Sequence, residues 1–250
     1  MLGFAFGGSA SLIFAVRSSR ARLPLRNLAR DCVSMAADRA QHSPAAERNA
    51  LPIRNELRRI LKPASGSRPA IMLEIAAGTG QHAVLCSAEL PGWVWVPTDP
   101  DETAVESIAA WRELEAAQDR VQMPIQLDVR QDPETWLAVG VPSPVDAFFC
   151  ANMIHIAPWE CCVALFKAAS HHLREHGCLV TYGPYLEDVL HGIPTAPSNL
   201  AFDQSLKSRN PEWGIRKRED VEMVAQRAGL VLSERVQMPA NNLLLVWRRA

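Results

Sequence analysis

The sequence contains no Cys-x-x-Cys pair, although it has six cysteines in 250 residues. Pairs of that kind are typical of structural zinc sites and redox motifs, and a disulfide framework is typical of small, cysteine-dense secreted chains. Three of the cysteines, Cys86, Cys150 and Cys178, lie instead in apolar helix or strand patterns. We therefore expect buried free thiols in a reducing compartment, and no metal site.

The sequence also lacks an uninterrupted apolar run of about 20 residues, which argues against an ordinary transmembrane helix. It has no excess of one charge either, because 26 basic and 27 acidic residues leave a net charge of −1. Such a balance indicates neither a nucleic-acid partner nor a membrane surface. Apolar residues make up 48% of the chain, which is enough for the core of one large domain.

Acidic residues are missing from the N-terminal segment up to Asp31, whereas five arginines lie between Arg17 and Arg30. Acid-poor N-termini rich in arginine and serine are typical of organelle transit peptides. We therefore predict that residues 1–40 target the protein to a mitochondrion or plastid. The alternative is a cytoplasmic protein with a disordered extension and a functional start at Met35. The folded domain is predicted to span residues 42–250.

The rest of the chain alternates short apolar strand patterns with helical patterns. Strands are predicted at 70–75, 93–98, 121–129, 145–151 and 178–182, and at 230–237 and 243–248. Alternation of strands and helices is typical of a parallel sheet with helices on both faces. The last two strands follow each other across a short turn, which forces an antiparallel pair. The prediction is a three-layer α/β domain of about seven strands, mostly parallel, with an antiparallel last strand.

A glycine-containing turn is the clearest functional signal. Residues 73–83, LEIAAGTGQHA, place Gly78 and Gly80 between a predicted strand and a predicted helix. Glycine has no Cβ and tolerates positive φ, so a ligand can approach the backbone of such a turn. The N-terminus of the helix adds free N–H groups and a partial positive charge. The turn predicts a nucleotide-like cofactor, although its spacing also satisfies the fingerprint of NAD-binding folds.

Two acidic residues bear on the choice of cofactor. Glu74 lies four residues before Gly78, where it would repel a pyrophosphate but could accept a hydrogen bond from an amino or hydroxyl group. Asp99 ends the second strand, at a position that suits hydrogen bonding to two ribose hydroxyls in either kind of fold. A reversed last strand is foreign to the doubly wound dinucleotide sheet. Together these features favour S-adenosylmethionine over NAD.

These residues resemble the class I S-adenosylmethionine-dependent methyltransferases and, more closely, a poorly characterised methyltransferase-like family. The closer resemblance is carried by AAERN (45–49), EIAAGTGQHA (74–83), NMIHIAP (152–158), YGPY (182–185) and MPANN (238–242). It covers about residues 42–249. It implies a seven-stranded Rossmann-like fold and S-adenosylmethionine as cofactor, and it implies no particular methyl acceptor. Ala76 departs from the class pattern, which commonly has glycine at this position, but a small residue still fits.

The resemblance also implies a set of cofactor-binding residues: Arg48, Asn49, Glu74, Ala76, Gly78, Gly80, Asp99, Asp128 and Asn152. The two glycines would pass close to the methionine part of the cofactor, and Glu74 would support the turn or receive the amino group. Asp99 would hold the ribose and Asp128 would lie beside the adenine. Asn152 would lie near the transferred methyl group. Arg48 and Asn49 would close over the cofactor, with Arg48 a candidate partner for its carboxylate.

The methyl-acceptor side carries weaker signals, because methyl transfer mainly requires alignment of the reacting atoms. His155, in the loop after the fourth strand, is the candidate base; a structural histidine is the alternative. Tyr185 is a second candidate catalytic residue, at the start of a long irregular stretch over 186–213. That stretch is predicted to form a lid or the acceptor site. The predicted partner is a small-molecule or protein acceptor. We expect His171, His172 and His176 to lie at the exposed end of a helix and to have no chemical role.

Two other functions stay open at this point. A regulatory protein without catalytic activity could bind S-adenosylmethionine through the same residues while its acceptor site diverged. An NAD-dependent oxidoreductase would use the same glycine spacing for a different cofactor.

Overall fold

The computed structural model describes residues 34–62, 68–187 and 195–250. Most of the predicted targeting segment therefore lies outside the described residues, and localisation stays a prediction. Residues 34–39 form a short helical segment. Within the described ranges, no helix combines the length and the apolar character that crossing a membrane requires.

The described chain alternates strands and helices. The helices are α1 (Pro44–Ile60), α2 (Gln81–Ser87), α3 (Glu102–Leu114), α4 (Trp159–His172), α5 (Pro197–Arg209) and α6 (Arg218–Arg227). The strands are β1 (Ala70–Glu74), β2 (Trp93–Asp99), β3 (Ile125–Gln126), β4 (Val145–Ala151), β5 (Leu173–Pro184), β6 (Leu230–Met238) and β7 (Asn242–Arg249). Short 3₁₀ segments occur at Pro133–Val139, Met153–His155 and Pro239–Asn241.

The seven strands form one sheet in the order β3-β2-β1-β4-β5-β7-β6. Pairing is parallel from β3 to β5, whereas β7 pairs antiparallel with both β5 and β6. The predicted three-layer α/β sandwich with a reversed last strand is confirmed. Because β1, β2 and β4 run in the same direction, their carboxyl ends meet at one edge of the sheet, which is where open α/β folds bind ligands.

Alternating side chains divide the core between the two faces of the sheet. On one face Phe149 and neighbouring strand residues pack against Ile53 and Leu57 of α1 and against α2. On the other face Phe148 and its neighbours pack against α4 and α6. This alternation follows from the period of two along a strand, and it allows both helical layers to bury apolar surface. Trp95 of β2 is fully buried.

Helix α1 has a capped N-terminus and an internal proline. The Ser43 hydroxyl accepts a hydrogen bond from the Ala46 amide at 3.3 Å, and Pro44 occupies the first turn. Pro52 lies inside the helix without ending it. Ile53 and Leu57 are fully buried and hold the second half of α1 against the sheet.

Two predicted stretches differ from the structure. The predicted strand 121–129 is reduced to Ile125–Gln126, with an isolated bridge between Trp95 and Val121. The stretch 186–213 was predicted to be irregular, but it contains helix α5. Residues 188–194 of this stretch lie outside the described residues. Tertiary contacts support this helix. The Asn199 side-chain amide donates to the Asn241 carbonyl at 2.9 Å, and the Asp203 carboxylate accepts from the Ile215 amide at 2.8 Å.

The predictions for the thiols and the histidines have different outcomes. The five cysteines in the described ranges are free and buried, as expected; Cys32 lies outside them. His172 was expected at an exposed helix end, and that is wrong, because its side chain is fully buried. Its Nδ1 lies 2.9 Å from the Ser143 hydroxyl and its Nε2 lies 3.0 Å from the Pro133 carbonyl. His172 therefore joins α4 to the segments that contain Pro133 and Ser143.

Candidate functional site

The glycine turn follows β1 and has a repeated left-handed conformation. Positive φ values occur at Ala76 (55°), Gly78 (58°) and Gly80 (87°). Ala76 adopts a conformation that costs an L-residue about 1–2 kcal/mol. Ala76 therefore occupies a position whose positive φ would favour glycine. The turn is held to β2 by the Ala77 amide, which donates to the Thr98 carbonyl at 2.9 Å.

The two glycines of the turn serve different purposes. A Cβ on Gly80 would lie 2.7 Å from the Cα of Ile108 in α3, so this glycine allows α2 and α3 to pack closely. A Cβ on Gly78 would have nothing within 4 Å. Gly78 therefore borders open space at the carboxyl end of the sheet, and this space can accommodate a ligand against the backbone.

Asp99 ends β2 and is bonded to the turn. Its Oδ2 accepts from the Gly78 amide at 2.8 Å, and its Oδ1 accepts from the Asp101 amide at 3.0 Å. The residue is only 7% exposed, and burial raises the pKa of its carboxyl group. Each oxygen keeps a further lone pair for a ligand. The position predicted to bind a ribose is thus also part of the scaffold of the turn.

Glu74 lies beneath the turn and is 1% exposed. Its Oε2 accepts a hydrogen bond from the Trp95 indole at 2.6 Å. Burial raises the pKa of Glu74 to about 8, against the opposing effect of that hydrogen bond and with a smaller contribution from the nearby Asp99 carboxylate. Two buried acidic groups therefore lie close together at the end of β1 and β2, and a cation bound beside them would favour their ionised forms.

The segment before α1 docks on the glycine turn through hydrogen bonds. The Ser43 amide donates to Oε1 of Gln81 at 2.7 Å. The Gln41 amide donates to the Ser107 hydroxyl at 2.8 Å, and that hydroxyl donates to the Thr79 carbonyl at 2.9 Å. Sequence reasoning did not identify Gln81 or Ser107, because both act over contacts that no local pattern reveals.

Arg48 and Asn49 lie in the second turn of α1, next to α2. The Asn49 side-chain oxygen lies 2.7 Å from Nε2 of His82 in α2. Burial lowers the pKa of His82 to about 4, so its ring is neutral and has a packing and hydrogen-bonding role. Arg48 is exposed, and it has no ion-pair partner among the described residues.

Asn152 and His155 follow β4 on the opposite side of the site. Asn152 has a φ of 65° and its amide donates to the Tyr182 carbonyl at 2.8 Å, which joins the end of β4 to β5. His155 is 6% exposed, and its Nδ1 would lie 3.3 Å from a Cβ on Gly183. The ring also packs edge-on against Phe202 of α5, with centroids 5.8 Å apart.

The imidazole of His155 is neutral at physiological pH. Burial lowers its pKa to about 4, and the charges of Arg216 and Arg209 act in the same direction. In the part of the chain that the structure describes, neither ring nitrogen has a hydrogen-bond partner. A buried imidazole without a partner is available to accept a proton or a hydrogen bond from a ligand.

Tyr185 lies in the core. It is 3% exposed, and its hydroxyl donates to the Thr181 hydroxyl at 2.9 Å, which in turn accepts from the Trp247 indole at 3.0 Å. Burial raises its pKa far above the usual range. The structure therefore places Tyr185 in the core on the face of α4 and α6, and we assign it no chemical step.

Asp128 lies after β3, at the far end of the same sheet edge. It forms an ion pair with Arg130, whose Nη2 donates to Oδ2 at 2.6 Å. The Arg130 side chain lowers the pKa of Asp128 through this hydrogen bond. The carboxylate is half-buried and ionised, so it can also accept a hydrogen bond from an adenine amino group.

A separate groove of about 920 Å³ lies between α4, α6 and the 3₁₀ segment after Asp132. It is bordered by Trp159, Val163 and Met223 together with charged residues of both signs. None of the predicted site residues lines it. Among the described residues, no group of histidine, cysteine, aspartate and glutamate side chains could hold a metal ion.

Several solved structures that are similar to this chain are methyltransferases. An O-methyltransferase family 2 protein from Planctomyces limnophilus DSM 3776, in complex with apigenin, has 21% identity and a TM-score of 0.66 over 89% of this chain and 62% of that one. Human N-acetylserotonin methyltransferase in complex with SAM has 14% identity and a TM-score of 0.62, covering 89% and 56%. CalO1, a methyltransferase in calicheamicin biosynthesis in its SAH-bound form, has 16% identity and a TM-score of 0.62, covering 82% and 54%.

This chain spans between 54% and 62% of the length of those three proteins. At such identities the likeness establishes a class I methyltransferase fold. A model of a protein family matches residues 40–249, and its description is "Protein of unknown function (DUF938)". The match covers more than half of the sequence and includes every residue of the site described above. The chain therefore belongs to the DUF938 family.

Proposed function

We propose that the chain is an S-adenosylmethionine-dependent methyltransferase that acts on a small-molecule or protein acceptor. The observation that carries the proposal is the hydrogen bond between the Gly78 amide and the Asp99 carboxylate. It brings an acidic group to a left-handed turn at the carboxyl ends of β1 and β2, the position at which open α/β sheets bind nucleosides. The methyltransferase fold supports this assignment.

The charges of the site fit this cofactor. S-Adenosylmethionine carries a positive sulfonium and a positive amino group, and Glu74 and Asp99 are buried acidic groups beside the turn. A pyrophosphate in the same place would lie against those acids with no cationic partner on the turn itself. The open space next to Gly78 accommodates the methionine part against the backbone.

Each predicted cofactor residue then receives a role. Asp99 holds the ribose and Asp128 accepts from the adenine amino group. Glu74, Ala76 and the two glycines shape the turn around the methionine part. Asn152 lies beside the methyl group. Arg48 and Asn49 close the site from α1, where the exposed guanidinium of Arg48 suits the cofactor carboxylate.

The chemistry requires alignment and one proton transfer. When bound, S-adenosylmethionine would supply a methyl group on a sulfonium sulfur, which would become a neutral thioether as the acceptor took the methyl through a lone pair. His155 takes the proton that the acceptor loses, because its neutral ring has no other partner among the described residues. With a pKa of about 4, it suits an acceptor whose own proton is readily lost.

Binding experiments test the cofactor first. Titration calorimetry should show saturable binding of S-adenosylmethionine and S-adenosylhomocysteine and none of NAD. Binding of NAD alone would overturn the proposal in favour of an oxidoreductase.

Activity is tested with S-adenosylmethionine labelled on its methyl group, incubated with a metabolite extract and with a protein extract. Transfer of label in either extract supports the proposal and names the acceptor class. His155→Gln should then lose turnover while it retains cofactor affinity. Cofactor binding without transfer of label to any acceptor would indicate a regulatory binding protein instead.

A further inference from the structure

Tyr182 has a position in the site that the roles above do not use. It lies near the carboxyl end of β5, directly opposite Ala151 of β4. Its carbonyl accepts the amide of Asn152 at 2.8 Å. Tyr182 is therefore the immediate neighbour, across the sheet, of the residue proposed to lie beside the methyl group.

The side chain of Tyr182 points toward α1 and α2. It packs with Phe149 and Leu244 in the core on that face of the sheet and is 4% exposed. The side chains of Asn49 and Asn242, from α1 and from the start of β7, lower the pKa of this hydroxyl as polar neighbours. Asn49 itself lies beside α2, because its side-chain oxygen is 2.7 Å from Nε2 of His82.

The charge around this hydroxyl suits an anion. Burial raises the pKa of Tyr182, so the hydroxyl keeps its proton and can donate it in a hydrogen bond. Arg48 is close enough to have the opposite effect on that pKa. A hydroxyl donor beside a guanidinium that lacks an ion-pair partner in the described residues is complementary to a carboxylate.

We propose that Tyr182 is a further cofactor-binding residue, whose hydroxyl donates to the carboxylate of the methionine part beside Arg48. Asn49 and Asn242 are the positioning residues that hold the hydroxyl in place. This assignment rests on the proposed function, since it presumes that S-adenosylmethionine binds at the glycine turn. It adds a contact from β5 to a site otherwise formed by β1, β2, β4 and α1.

The two tyrosines of the chain provide the test. Tyr182→Phe removes the proposed donor with almost no change in volume, and Tyr185→Phe removes a hydroxyl that is buried on the opposite face. The ligands are S-adenosylhomocysteine and 5′-methylthioadenosine, which share the adenosine and the thioether but differ in the amino acid part. Calorimetry of both ligands on the full chain and on both variants separates the carboxylate from the rest of the cofactor.

Tyr182→Phe should weaken binding of S-adenosylhomocysteine by about tenfold, as expected for a hydrogen bond to a charged group, and leave 5′-methylthioadenosine unchanged. Tyr185→Phe should change neither affinity. Unchanged affinity of Tyr182→Phe for S-adenosylhomocysteine would overturn the assignment. So would an equal loss for both ligands, because the hydroxyl would then support the fold instead of the carboxylate. If the unsubstituted chain binds neither ligand, the proposed function itself fails.

Discussion

The Gly78 amide donates to the Asp99 carboxylate across 2.8 Å, which joins the turn after β1 to the end of β2. Asp99 therefore combines two functions that sequence reasoning treats separately. It is the residue expected to hold a ribose, and it also fixes the backbone against which the rest of the cofactor would lie. Removing its carboxylate should affect affinity both directly and through the shape of the turn.

Asp99→Ala is expected to weaken S-adenosylmethionine binding by at least tenfold and to lower the free energy of unfolding by about 1–3 kcal/mol, since two backbone amides lose their acceptor. Calorimetry and urea unfolding measure the two effects. Asp101→Ala is a suitable control, because Asp101 caps α3 through the Thr103 amide at 2.7 Å. It should cost about 1 kcal/mol of stability and leave affinity unchanged. Equal affinity losses in both variants would contradict a direct role for Asp99.

The two glycines should respond differently to alanine. Gly80→Ala forces a Cβ to within 2.7 Å of the Ile108 backbone and should destabilise the fold by about 3 kcal/mol or more. Gly78→Ala meets no neighbouring atom and should cost only the strain of its left-handed conformation, about 1–2 kcal/mol.

The order should reverse when cofactor affinity is measured on folded protein. Gly78→Ala places its Cβ in the space assigned to the methionine part, so S-adenosylhomocysteine should bind at least tenfold more weakly. A Gly78→Ala variant with normal affinity would show that the ligand does not approach this stretch of backbone. Thermal unfolding with and without ligand provides the two readouts together.

Glu74 should make the stability of the ligand-free protein depend on pH. Because burial raises its pKa from 4.5 to about 8, its contribution is complete below pH 4.5 and is lost as the pH rises through 8. Between pH 5 and pH 8 the free energy of unfolding should fall more steeply in the native chain than in Glu74→Gln, by roughly 3 kcal/mol. Urea unfolding at the two pH values measures this difference. Parallel profiles for the two proteins would contradict a protonated Glu74.

The sequence predicted the sheet because its signals are local. The apolar strands, the glycine turn and the short connection before Asn242 each follow from a pattern within a few residues. Helix α5 was missed, since its sequence has little periodicity and its supporting contacts come from distant positions such as Asn241 and Ile215. Strand β3 was predicted too long because its length also depends on distant positions. Only Ile125 and Gln126 pair with β2.

The site, like the sheet, could be predicted only as far as local sequence patterns indicate it. The order of residues along β1, β2 and β4 is sufficient to bring Glu74, Asp99 and Asn152 to one edge. The orientation of a single side chain is harder to predict: Tyr182 and Tyr185 are three residues apart, yet their rings lie on opposite faces of the sheet. The alternation of side chains along a strand predicts which face each ring takes only if the end of the strand is known. Strand β5 ends at Pro184, one residue before Tyr185.

The Ser43 amide donates to Gln81 of the glycine turn and the Gln41 amide donates to Ser107 of α3, which has a consequence for the dynamics of the chain. The segment before α1 thus contacts residues 38 and 66 positions further along the chain, so these parts should open and close as one cooperative unit. A ligand at the turn would then slow hydrogen exchange in the first turns of α1 as well as at Gly78. The N-terminal helix would in that way report occupancy of the cofactor site.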